Sequence, residues 1–259
     1  MDLLKAVKRR SAISDLIYNI LNIGLAIALL VVIQTAGILW PALLLVLLSK
    51  WRVLAVRPRY WLANIQANLV DFIVSFSTVV FLFGAQESGA LQIIITLLYI
   101  AWLLALKPRS KRHLVVVQAG VAAFVGMAAL SMISFAWPVS IVVAGAWLIG
   151  YASARHALSA YDESHILVLS LIWGFVVAEI SWIAYHWTVA YDIPGLAGIE
   201  IPQIALLVLA ISFVAERVYS SYAKHDEFRM ADVVLPLLLA GSIGAVLLLF
   251  FNSVGFGQN

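Results

Sequence analysis

Five polar residues, Asn64, Asn68, Asp71, Ser75 and Thr78, recur at intervals of three and four within an otherwise apolar stretch, 61–85. At about 100° per residue they fall within an arc of about 80° on one helix face, while Leu69, Ile73, Phe76 and Val80 point elsewhere. Gln66 and Ser77 lie nearly opposite and dilute the stripe. Ten residues past Trp61, at ~1.5 Å each, Asp71 stands ~15 Å deep, near the centre of a ~30 Å hydrocarbon core. A carboxyl facing lipid there costs at least ~2.5 kcal/mol, so the stripe is expected to face protein or water. Three chemistries fit it: interhelical hydrogen bonding, a polar track for a small solute or protons, or contact with a lipid or partner subunit. On the second reading Asp71 is the proton carrier. With the lysines and arginines near one face, ~15 Å away, it is expected to be neutral for part of a working cycle.

Glu179 is a second acid within an apolar stretch, and Trp182 and His186 share its helix face at i+3 and i+7. A carboxyl below a histidine suits a proton relay, and equally a bonded pair that anchors its helix. Glu216 follows Ser212 by four and precedes Tyr219 by three, the spacing of a local polar network. Two loops, Tyr161-Asp-Glu-Ser-His165 and Lys224-His-Asp-Glu-Phe-Arg229, carry acids with a histidine that could bind a divalent ion if the loops met, but such loops are more often solvated turns. We assign no metal and no cofactor. H-E-x-x-H, G-x-S-x-G and P-loop patterns are absent, so no enzyme class is indicated.

The elements that position these groups follow from composition. Of 259 residues, 64% are hydrophobic and 11% charged, with a mean hydropathy of +1.04. A water-soluble domain of this length needs far more polar surface, so the solvent is lipid. No cysteine is present, which excludes disulfides, thiolate catalysis and cysteine-ligated metal. No basic run with interleaved aromatics offers a track for nucleic acid. The start, MDLLKAVKRRSAISD, precedes an apolar run longer than a signal-peptide core and reads as a retained signal anchor.

Apolar stretches fall at 14–35, 38–56, 61–85, 89–106, 113–133, 135–154, 166–188, 202–221 and 231–252. The second has a short uninterrupted core, Ile38 to Leu48, and is either a span or a re-entrant hairpin. Charge favours the span. With nine crossings and a cytoplasmic N-terminus, all sixteen basic residues lie near the inner side, while the outer loops carry only Glu87, Asp192 and Glu200. Removing the second crossing would split the basic clusters between the two sides. Connections are too short to fold alone, so residues 1–259 form a single integral membrane domain without a soluble domain. Ala146, Gly150 and Ala154 make a small-residue ridge, and Gly241 with Ala245 another. Trp40, Trp137 and Trp187 suit the outer interface, Trp51 and Trp61 the inner one.

The sequence thus predicts an all-α polytopic transmembrane bundle of about nine spans, eight if 38–56 is re-entrant, N-terminus inside and C-terminus outside. It suits a multi-pass protein of a cell membrane, of the bacterial inner-membrane type. The leading active reading is permeation of a small solute or protons, with Asp71, Glu179 and His186 as relay candidates. The rivals are a non-catalytic subunit of a larger assembly and an intramembrane enzyme acting on a lipid-linked substrate. The expected partners are the bilayer and either another membrane protein or further copies of the chain, with no nucleic acid.

Overall fold

The computed structural model describes residues 2–161, 163–186, 189–192 and 200–249. Asp162, Trp187, residues 193–199 and the end of the ninth apolar stretch lie outside the described residues. Helix α1 (Asp2–Ala36) includes the basic N-terminal segment, because nothing in Leu-Leu-Lys-Ala-Val-Lys-Arg-Arg interrupts a helix. Gly37, at φ +67°, ends it with a left-handed turn whose N–H donates to the Ile33 carbonyl at 3.0 Å. Then come α2 (Leu39–Ser49), the single turn α3 (Trp51–Leu54), a 3-10 turn (Pro58–Tyr60) and α4 (Trp61–Gly84). Helix α5 (Gly89–Ala101) runs on into a π-helical turn (Trp102–Leu106). Helices α6 (Arg112–Ile133), α7 (Val139–Ser159), α8 (Ile166–Tyr185), α9 (Gln203–His225) and α10 (Met230–Leu249) complete the bundle. A small antiparallel hairpin, β1 (Ala190–Asp192) with β2 (Glu200–Pro202), joins α8 to α9.

Eight of the described helices are long and apolar enough to cross a membrane, so the protein is an all-α polytopic bundle. The second apolar stretch is handled differently from the rest. Helix α2 has 11 residues, ~16 Å, about half a hydrocarbon core. Yet the whole segment traverses the bundle. It starts beside the end of α1, which the Gln86 amide reaches at the Ile33 carbonyl (3.5 Å), level with the end of α4. It then descends along α4 in reverse: Lys50 pairs with Asp71, the Asn64 amide donates to the Val53 carbonyl (3.2 Å), and the Trp61 indole to the Val56 carbonyl (3.0 Å). The segment therefore runs beside α4 as a broken helix, antiparallel to it, and is shorter than the eight long apolar helices.

Two cores meet at α4. One joins α1, α2, α4 and α5 around Leu29, Ile33, Val46, Val79, Leu82 and Leu103; the other joins α6 to α9 around Met127, Ala146, Val177 and Val208. Ile73 and Phe81 of α4 touch both. Gly126 lets α6 approach so closely that a Cβ there would lie 2.7 Å from Ile73 and 3.1 Å from Ile149. The Ala146–Gly150 ridge is used: a Cβ on Gly150 would meet Val177 at 2.8 Å and the Gly174 backbone at 3.2 Å, the close seam of α7 on α8. Among the described residues the Gly241 ridge is not used, since a Cβ there would meet nothing within 4 Å.

Candidate functional site

Asp71 lies in the middle of α4, 8% exposed, and side chains from two other helices converge on it. The Lys50 ammonium, where α2 breaks, bonds Oδ2. The Lys107 ammonium, just past the π turn, reaches the same oxygen at 2.8 Å. The Trp102 indole N–H points at Oδ1 from 3.5 Å. Lys50 also lies over the Phe72 ring, 5.6 Å from its centroid. One turn along α4, the Ser75 hydroxyl donates to the Asp71 carbonyl (2.6 Å) and accepts from the Tyr99 hydroxyl of α5 (2.9 Å). Every side-chain group bonded to the carboxyl is a donor, so the site is built for a carboxylate.

This corrects the expectation that no basic group reaches Asp71. The depth argument counted Lys50 and Lys107 by their place near loops, and two local departures from α-helix move them. Helix α2 stops at Ser49 with neither glycine nor proline nearby, halfway along α4, leaving Lys50 at Asp71's level. In α5, Trp102 and Lys107 would stand about 140° apart on an α-helix. The π turn closes through Lys107 N–H to the Trp102 carbonyl (2.8 Å) and gathers both onto the face that meets Asp71. Gln118 of α6 secures that turn, its amide donating to the carbonyls of Leu106 (2.6 Å) and Arg109 (2.9 Å). Since that amide donates twice, its oxygen accepts, and His156 Nε2–H of α7 donates to it at 2.7 Å.

Two ammoniums for one carboxylate looks unbalanced, but both lysines follow helix C-termini. Each helix end carries roughly half a negative charge. The ends of α2 and of the π turn, the former partly offset by the start of α3, reduce the excess positive charge beside the carboxylate. Lys107 retains 29% of its side-chain exposure, whereas Lys50 retains 6%, so the triad is open on the Lys107 side only.

The rest of the stripe behaves less uniformly than its spacing suggests. Asn68 donates to the Asn64 carbonyl and Thr78 to the Val74 carbonyl, both at 2.8 Å and both within α4. Asn64, Asp71 and Ser75 are the stripe members that reach another element. Val80, which points away from the stripe, is 5% exposed, and Ile73 and Leu69 are half-buried. The reason is that α4 beyond its exposed first turns is flanked on both sides, by α1, α2, α3 and α5 on one and by α6 and α7 on the other. Glu179 and His186 do share a face of α8, with His186 edge-on to Trp182 at 5.3 Å. That face is exposed, and α8 packs on α7 and α9, so neither group is brought to Asp71.

Glu216 enters a network at the end of the bundle that carries the basic loops. It accepts from the Tyr161 hydroxyl (2.6 Å), and Tyr219 donates to Glu163. The two tyrosine rings meet edge-on at 5.0 Å, and Arg112 covers Tyr161 at 4.8 Å. Burial, then the bond to Glu216, push the Tyr161 phenol up. The Tyr219 hydroxyl, then the His165 N–H, hold Glu163 below the usual carboxylate range. At the far end, a cavity of about 320 Å³ opens between α6, α8 and α9, with Ser134, Ser181 and Gln203 in its wall. Compared with known protein families, curated proteins and solved structures, the chain matches none of them.

Proposed function

We propose that the protein carries a small monovalent anion together with a proton across a cell membrane, using the Asp71–Lys50–Lys107 triad as the site of exchange. The observation that carries this reading is the break of α2 at a lysine that pairs, deep in the bundle, with a carboxylate. Irregular backbone at membrane depth is tolerated where it builds a site, and interrupted helices are how solute carriers make one. Charge balance sets the chemistry. Protonating Asp71 leaves two ammoniums with only the helix ends against them, a deficit of one negative charge. A monovalent anion seated on the lysines restores it, and its departure returns the lysines to the carboxylate. One proton and one anion then move together with no net charge. Lys107, the more exposed lysine, is the side from which the anion exchanges.

The test uses purified protein in vesicles that enclose a pH-sensitive dye. Inward gradients of chloride, nitrate, phosphate or lactate are imposed with the membrane potential clamped. The expected result is lumenal acidification with one of these anions, insensitive to the clamped potential and abolished by Asp71→Asn. Acidification that survives Asp71→Asn unchanged refutes the role of the triad, and the absence of acidification with every anion refutes the transport reading.

A further inference from the structure

We propose that the α7–α8 face around Glu179 receives a transmembrane helix of a different protein, one that brings a lysine or arginine to the level of this carboxyl. Glu179 is six residues from the end of α8, ~9 Å below the far end of the bundle and within hydrocarbon depth. It is exposed, and no donor among the described residues bonds it. Its neighbours on the same surface are those of a lipid-facing wall: Phe175 is 63% exposed, Trp182 53% and Ile183 59%. Between α7 and α8 this wall is hollowed into an open groove, with Trp147 and Ala144 on the α7 side and Glu179 and Trp182 on the other. The floor is rigid. Trp147 stacks on Tyr151 at 5.5 Å and meets Phe175 edge-on at 6.3 Å, above the Gly150–Gly174 seam.

A lone carboxyl facing lipid at this depth is unfavourable by a few kcal/mol, and the groove supplies nothing to offset it. Charge complementarity identifies the occupant. The lysines and arginines of this chain stand in its N-terminal segment, at the α2 break, and in the loops and helix turns at the opposite end of α8. In a second copy inserted the same way, they stand at the wrong depth to meet Glu179. His186 of such a copy is seven residues, ~10 Å, too high. The amine of a lipid headgroup sits above the hydrocarbon for the same reason. A foreign helix with one basic residue in its outer third meets the carboxyl, and its apolar flank fills the groove over Trp147.

The experiment reconstitutes the donor-labelled chain with acceptor-labelled polyleucine transmembrane peptides and reads energy transfer against peptide density. One peptide carries a single lysine ~9 Å below its outer end, a second carries leucine there, and a third carries the lysine at the same depth from its inner end. The outer-lysine peptide should associate on the order of tenfold more tightly than the other two, the scale of one interhelical polar contact. Glu179→Gln should remove that preference, while Trp147→Ala weakens association of the outer-lysine peptide. Equal binding of the leucine peptide, or a preference that survives Glu179→Gln, overturns the proposal. So does self-association of the unmodified chain that depends on Glu179 and excludes the lysine peptide, because the face is then a homo-oligomer contact.

Discussion

Replacing Asp71 by asparagine separates the structure from the depth argument most sharply, because the two expect opposite results. If Asp71 were neutral among polar neighbours, asparagine would be nearly isosteric and silent. In the triad, both ammoniums bond Oδ2, so without the charge they face each other roughly 5 Å apart and repel by ~3 kcal/mol at an effective dielectric of 20. Lys107 relieves part of this by turning toward its exposed side, whereas Lys50, 6% exposed, has nowhere to go. Breaking a buried pair from one side costs about 3–5 kcal/mol. For a chain of this length that corresponds to a fall in Tm on the order of 10 °C. Lys50→Met should cost more than Lys107→Met, since burial differs. The decisive comparison is the triple variant Lys50→Met, Asp71→Leu, Lys107→Met. Removing all the charges together should recover most of the loss, as uncharged replacements of buried pairs do. Thermal unfolding in detergent, followed by tryptophan fluorescence, measures all of these. A silent Asp71→Asn, or a triple variant no more stable than the worst single one, refutes the triad.

Four further expectations use independent parts of the fold. Gly150→Ala forces a Cβ to 2.8 Å from Val177 and should destabilise by about 1–3 kcal/mol, while Gly241→Ala, with nothing within 4 Å, should be neutral or slightly stabilising; the same thermal assay reads both. Reporter fusions after residue 36, at residue 86 and at the C-terminus should report the exterior, and a fusion at residue 57 the cytoplasm; an exterior signal at residue 57 removes the broken-helix crossing. Lipid-phase labelling of a cysteine at position 80 should fail, and at position 175 succeed, reversing what the stripe alone suggests for position 80. Glu163 is a depressed carboxylate, so its contribution is present above about pH 4.3 and lost as pH falls through its folded value; Glu163→Gln and Tyr219→Phe should each flatten that acid limb of the stability profile.

Much of the architecture was legible because bilayer thickness leaves a sequence few options. Long apolar runs such as 166–188 and 202–221 appear as helices with ends shifted by a few residues, and Ala146–Gly150 packs as its small side chains allow. Asp71 also stood out, since a carboxylate amid Phe72, Ile73 and Val74 demands partners. Who those partners are was not legible. Lys50 and Lys107 look like ordinary basic residues at the edge of apolar stretches, where snorkelling accounts for them. Nothing in Leu-Ser-Lys-Trp-Arg announces the end of a helix, and nothing in Trp-Leu-Leu-Ala-Leu announces a π turn. Both departures are tertiary choices in which an ion pair outweighs one or two backbone hydrogen bonds. The stripe misled in a related way. Serine and threonine at i+4 spacing satisfy themselves on the preceding turn, as Ser77 and Thr78 do, so a polar face does not have to be a path.

The same bookkeeping of charge explains why the break and the π turn occur together. A helix running uninterrupted through residues 39–56 would place Lys50 mid-bundle with no helix end beside it, adding a full positive charge to a low-dielectric interior. Ending α2 at Ser49 leaves Lys50 the first residue past a helix carbonyl terminus, and the π turn leaves Lys107 in the same place one helix away. Each irregularity thus lowers the cost of the lysine that follows it, and the carboxylate lies between the two. The two ammoniums are paired only while all the parts are assembled. Any change that separates α2 or the end of α5 from α4 exposes an unbalanced ion in the middle of the bundle. Separation is therefore unfavourable unless a proton and an anion enter as the contacts part. That requirement ties movement of the broken helix to the chemistry of its cargo, and it predicts that the charge-free triple variant, though stable, loses coupled flux entirely.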